Sequence, residues 1–297
     1  MTDTGTYICY VEKRFGEAAL AMIGQANAII EGYEKKGYSL TVRQLYYQFV
    51  SRGLFENVVA NYNKLGEVIS DARLAGLVSW TAIEDRGRNL MGLSTLRSPA
   101  EAIKKSRDDY RRDLWDGQAC RPEVWVEKQA LEGVVGGICS RLRVDFFATK
   151  GYNSQSEMWR AGRRFAARYG DGQRPVVLHF GDHDPSGIDM TRDASDRLAL
   201  FAGVPVPVIR VALNMDQVEQ YAPPPNPAKM TDSRAADYVA KYGDESWELD
   251  ALPPDVIENL IARHVARFRD EEKWEEALSR EAEDKDALDR IVENLTD

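Results

Sequence analysis

The chain has 297 residues, 43% hydrophobic and 29% charged, which suits an ordinary folded protein with room for two cores and excludes overall disorder. No apolar run is long enough to cross a bilayer, no signal peptide opens the chain, and three scattered cysteines give neither a disulfide framework nor a zinc site, which points to the cytoplasm. The net charge of −9 hides an asymmetry: residues 1–175 sum to +5 and residues 176–297 to −14, so a phosphate-facing surface is expected in the first part, with an acidic, solvated C-terminal tail.

Glu17 to Lys36 reads as an amphipathic helix stopped by Gly37. Thr41 with Gln44 three residues on is a capping-box signature for a second helix, with Val42, Leu45, Tyr46, Phe49 and Val50 as its apolar stripe and Gly53 as its end. A third helix, near Asn57 to Ala75, places Val58, Tyr62, Leu65, Ile69 and Ala72 on one side. Leu77 to Ile83 turns β-like before the polar EDRGRN stretch. Three helices, a strand and a charged hairpin-like segment suit an N-terminal winged-helix DNA-binding domain over residues 1–98. Asn61 and Lys64 on the polar side of the third helix, and Arg86 and Arg88 in the wing, are candidate nucleic-acid contacts that equally suit a solvated surface.

The charged residues 99–121 read as a linker helix. From residue 122 to the end, apolar strands alternate with helices: EVWVE, VDFFA, PVVLHFG and VPVIRVAL predict a parallel α/β sheet covered by helices. The Pro-rich APPPNPAK reads as an ordered loop. Two charged helices, about 254–268 and 270–294, close the chain.

In an open α/β sheet, ligands bind beyond the carboxyl ends of the strands. Glu127 closes the first strand, and Asp182 and Asp184 follow the third, so all three acids fall on that edge. Carboxylates in this arrangement suit a hard cation such as Mg²⁺, or Mn²⁺, which stabilises charge on a phosphoryl oxygen. DHDPSG also has the composition of a plain turn, and a turn role is favoured for His183. Lys128, beside Glu127, is either a phosphate contact or a surface lysine.

VWVEK followed by HFGDHDPSGI resembles the Toprim pattern of topoisomerases, and its DxDPxG form is similar to the topoisomerase VI A subunit and the related meiotic double-strand-break transesterase. LTVRQLYYQ resembles that family's Arg-x-x-Tyr/Phe-Tyr motif, whose last Tyr is the nucleophile, and the KGY of KGYNSQS resembles a further family segment containing Lys150. The sequence departs from the pattern at Gln44, Asn153 and Ser154. SWELDAL resembles a late family segment and equally reads as a helix start. The resemblance spans about Leu40 to Leu252. It implies a short, stand-alone Toprim-like enzyme that uses Mg²⁺ on Glu127, Asp182 and Asp184. It further implies double-stranded DNA as substrate, a homodimer, and a separate ATPase subunit as a further partner.

Helix phase alone separates the two adjacent tyrosines. Tyr46 falls in the apolar stripe, whereas Tyr47 is expected outside it, on the side shared by Arg43 and Ser51. Under the resemblance, Tyr47 attacks DNA phosphorus and ends joined to a 5′ phosphate, with Arg43 steadying phenolate or phosphate and Glu127 binding metal or moving a proton. Other readings remain open: a Toprim hydrolase using metal-activated water, or a DNA-binding protein that does not cut. A small-molecule phosphatase fits less well, because that class places its DxD at the first strand.

Overall fold

A four-stranded parallel sheet and eleven α-helices make up the described part of the chain in the computed structural model, which covers residues 7–83, 95–149 and 151–296. Three helices come first: α1 (Glu17–Glu34), α2 (Val42–Ser51) and α3 (Val59–Leu74). The expected capping box is formed: the Gln44 amide donates to Thr41 Oγ1 at 3.2 Å and the Thr41 amide to Gln44 Oε1 at 2.9 Å. Met22, Ile30, Leu45, Phe49, Leu65 and Ile69 meet in the core of this helical unit.

Two expectations for this unit change. Leu77–Ile83 forms no regular strand; a single parallel bridge joins Leu40 to Ile83. The expected wing with Arg86 and Arg88 lies outside the described residues. The stripe of α3 also divides. Leu65, Ile69 and Ala72 are buried, but Val58 is 46% and Tyr62 37% exposed, because the first turn of α3 runs past the core and lines a cavity.

After α4 (Pro99–Asp109), started by Ser98 whose Oγ accepts from the Glu101 amide, strands and helices alternate as expected. They run β1 (Cys120–Val126), α5 (Glu132–Arg141), β2 (Asp145–Ala148), α6 (Gln155–Gly170), β3 (Arg174–Phe180), α7 (Pro185–Ala202) and β4 (Val208–Ala212). The spatial order is β2-β1-β3-β4, all parallel, with β1 and β3 central. The two-residue period of the strands sorts side chains into two layers. Val124, Val126, Leu178 and Phe180 join one core, while Trp125 and Val177 join Met158, Phe165 and Leu198 of α6 and α7 in the other. Gly162 lets α6 and α7 touch backbone to backbone, since a Cβ there would lie 2.5 Å from Phe201 Cβ.

The segment after β4 is more structured than its Pro-rich sequence suggests. It holds α8 (Met215–Tyr221), a small antiparallel ribbon of β5 (Asn226–Pro227) and β6 (Glu245–Ser246), and α9 (Ala235–Tyr242). Then come α10 (Pro254–Ala266) and α11 (Glu271–Thr296). The expected linker is docked on α11: Tyr110 donates to Asp284 at 2.7 Å, and Arg107 pairs with Asp289. Among the described residues no helix is long and apolar enough to cross a membrane.

Candidate metal centre and its cavity

The site forms where the helical unit meets the carboxyl edge of the sheet. Glu127 directly follows β1, and its Oε2 accepts the Asp182 amide at 2.9 Å, which ties together the ends of β1 and β3. Gly187 makes this closeness tolerable: a Cβ there would lie 2.3 Å from the Asp182 carbonyl oxygen and 3.1 Å from Glu127 Oε2.

A third segment, between β6 and α10, completes the cluster. His183 and Trp247 form an antiparallel bridge, each amide donating to the other's carbonyl at 2.8–2.9 Å. In antiparallel register the neighbours, Asp182 and Glu248, therefore stand opposite each other. The Leu249 amide donates to Asp182 Oδ1 at 2.7 Å and fixes that carboxylate. The resulting group is Asp182, Glu248 and Asp250, each with a carboxylate oxygen within 4.8 Å of the others.

Two cations hold these acids. Lys128 Nζ lies 3.1 Å from Asp182 Oδ2 and 3.0 Å from Asp250 Oδ1, and also pairs with Glu248. Arg43, from α2, reaches Asp250 at 2.9 Å and Glu248 at 3.0 Å and donates to the Tyr47 hydroxyl at 3.2 Å. Beneath them the half-buried Arg210 donates to the backbone oxygens of Gly181, Asp182, Gly187 and Leu213. These bonds leave its charge to act on the acids without pairing any one of them.

Burial, then the charge of Asp182, pushes the Glu127 carboxyl up to about 7. Burial also raises Asp182, against the pull of Lys128. Burial and then Asp250 push the Tyr47 phenol up to about 12, opposed by Arg43. Burial lowers His179 to about 3 and His183 to about 4, so both are neutral. His183 packs edge-on against Tyr238, Tyr242 and Trp247 and bonds Tyr238; it is a buried bridge residue rather than the turn residue expected.

The expected acids are brought to one place but used unequally. Asp182 is central. Asp184 faces the adjoining cavity while its Oδ1 caps α7, accepting from the Gly187 amide at 2.6 Å and from Ser186. Glu127 lies behind, bonded to the Asp182 backbone. Tyr47 requires a correction. It is 5% exposed, as is Tyr46, because the 3-10 turn Leu249–Ala251 packs on α2, with Ala251 in the same core and Asp250 paired to Arg43. Tyr46 is held away from the acids, donating its hydroxyl among Glu56, Asn57 and Val58. Lys128 is engaged in the cluster, Asn61 bonds the Glu56 carbonyl, Lys64 is exposed on α3, and Lys150 lies outside the described residues.

Glu248, Asp250 and Arg210 were not picked out from the sequence. WELD repeats the acid-x-acid spacing of DHD, which is the local signal that points to them, and a short 3-10 turn over Leu249–Ala251 carries Asp250 round beside Glu248.

Arg43, Tyr47, Asp182, Asp184 and Glu248 all line one cavity of about 280 Å³. Three clustered carboxylates are hard oxygen donors of the kind that Mg²⁺ or Mn²⁺ takes, so the donor set fits such an ion once Lys128 moves aside. Comparison with protein-family models, curated proteins and solved structures gave no match.

Proposed function

We propose that the chain is a divalent-metal-dependent DNA-cleaving transesterase with Tyr47 as nucleophile. One observation carries this reading: Tyr47, whose hydroxyl is held by Arg43, lines the same cavity as Asp182, Asp184 and Glu248. Asp182, Glu248 and Asp250 would hold the ion, with Glu127 and Asp184 adding negative charge beside it. When bound, the ion supplies charge stabilisation to a phosphoryl oxygen.

The chain's own groups divide the rest of the work. Arg43 donates to Tyr47 Oη and favours its ionised form. A bond forms from Oη to phosphorus as the bond to the 3′ oxygen breaks. The 5′ phosphate remains on the protein and the 3′ oxygen leaves as a hydroxyl. Glu127, pushed to about 7, is suited to exchange a proton near neutral pH. Double-stranded DNA, a winged-helix mode of binding, a homodimer and an ATPase subunit belong to this reading through the topoisomerase VI A resemblance alone. Within one chain, Tyr47 already shares the cavity with the acids.

A second reading, hydrolysis by water with Glu127 as base, is favoured by one observation: Tyr47 is buried, and burial pushes its phenol further from the ionised form a nucleophile needs. Plasmid incubated with Mg²⁺ or Mn²⁺ and rapidly denatured separates the two. Transesterification leaves protein-linked ends that Tyr47→Phe abolishes; cutting that persists in Tyr47→Phe, without linked ends, establishes hydrolysis instead.

A further inference from the structure

The wall of the cavity away from the acids is built of the wrong residues for a phosphate. Val58, Val59 and Tyr62, at the start of α3, are 46%, 76% and 37% exposed. Val58 and Tyr62 continue the stripe that buries Leu65 and Ile69, so the pattern that fills the core runs on into open space. Tyr62 is nonetheless fixed. It packs at 77° against Tyr46 across 5.5 Å, and the Tyr46 hydroxyl is bonded into the loop before α3. Asn57 donates to Asn226 Oδ1 at 2.7 Å, joining this wall to the ribbon of β5 and β6. A preorganised apolar and aromatic surface therefore stands within one small cavity with a candidate phosphate-cleaving centre.

A phosphodiester carries a flat, stackable base one sugar away from its phosphate. In a paired duplex both faces of that base are already stacked, and none is free to meet a wall. A cavity of about 280 Å³ sits near the roughly 300 Å³ lower end of small-ligand pockets, a scale that suits one nucleotide. We infer that the Val58–Val59–Tyr62 wall takes an unpaired nucleobase. The site then acts on a strand that presents one unpaired nucleotide, whether single-stranded, frayed or extruded, in preference to a fully paired duplex. This rests on the phosphodiester-cleaving reading above.

The test uses the full chain and three labelled DNA hairpins in Ca²⁺, followed by fluorescence anisotropy: fully paired, with one unpaired thymidine, and with an abasic residue at that place. The thymidine hairpin is expected to bind about five- to a hundredfold tighter than the paired one, the range of a single base–aromatic stack. The abasic hairpin should lack the gain. Tyr62→Ala should remove it, Tyr62→Phe should keep it, and Val59→Asp, on the exposed side of α3, should weaken it without a loss of fold. Equal binding of paired and unpaired hairpins, or a gain that survives Tyr62→Ala, overturns the base-binding wall while leaving the cleavage reading in place if Mg²⁺ still supports cutting. Failure to bind or cut any of the three overturns both.

Discussion

Strand β1 and the residue that directly follows it hold two buried glutamates, Glu123 and Glu127, and they live in different electrostatic worlds. Glu123 is matched one to one: Arg164 grips both its oxygens at 2.8 and 2.9 Å, and the Trp125 indole adds a third bond. Glu127 stands beside an unbalanced group, in which Asp182, Asp184, Glu248 and Asp250 gather around Lys128, Arg43 and Arg210. Among the described residues, five acids face three cations. A pair that closes on itself is a packing solution, whereas surplus negative charge in a largely buried group disfavours folding unless a proton or a further cation is taken up. The carboxyl edge of the sheet thus differs from its interior in charge balance more than in shape.

The largest expected effect breaks the unbalanced side. Asp182→Asn keeps an acceptor for the Leu249 amide but removes the charge shared with Glu248 and Asp250. Nucleic-acid cleavage should fall about a hundred- to a thousandfold, read by plasmid nicking in Mg²⁺. Unchanged cleavage would place this cluster in the same structural class as the Glu123 pair.

Next comes the pH dependence of Glu127. Its carboxyl is raised from an ordinary 4.5 to about 7, so between those values the folded state binds more protons than the unfolded one. Stability therefore falls as pH rises through this window and stays reduced above it. Glu127→Gln can still accept the Asp182 amide and should recover on the order of 2–3 kcal/mol at pH 8, with little gain at pH 4. Urea melts at the two pH values measure this, and equal gains at both would contradict it.

Lys128 gives an effect of similar size that is specific to metal. Lys128→Met leaves Asp182, Glu248 and Asp250 without their shared ammonium, so the variant should melt lower in EDTA. It should then gain about 2–3 kcal/mol in Mg²⁺ or Mn²⁺ at a hundredfold excess over its own Kd, more than wild type gains at the same cation concentration. Thermal melts across a cation titration test this; a variant indifferent to cation would remove the metal assignment.

The sheet and half of the site were legible because their signals are local. The strands are apolar runs bounded by turns, and Glu127, Asp182 and Asp184 sit at strand ends whose common edge follows from parallel pairing. Glu248 and Asp250 reach Asp182 from more than sixty residues away, through the His183–Trp247 bridge, and no periodicity announces such a closure. The same segment explains the error at Tyr47. Helix phase describes α2 as if alone, but the turn Leu249–Ala251 packs on it. Val58 and Tyr62 fail in the opposite direction: their spacing is that of a core stripe, and the core ends one turn before them.

The smallest effect sharpens the balanced side. Arg164→Met removes the partner of Glu123 but leaves the glutamate with the Trp125 indole. Breaking a fully buried pair costs about 3–5 kcal/mol. Arg164 is 42% exposed, so water screens it and reaches the freed carboxylate, which reduces the loss to about 1–2 kcal/mol. For a chain of this length that corresponds to a fall of about 2–3 °C in Tm. Because this pair lies on the α6 side of β1 and shares no partner with Lys128 or Asp182, the fall should be the same in EDTA and in Mg²⁺, and cleavage per folded molecule should not change. A Tm shift that depended on Mg²⁺ would mean that Glu123 and Glu127 are coupled, and that the charge surplus beyond the strand end is relieved in part through Glu123.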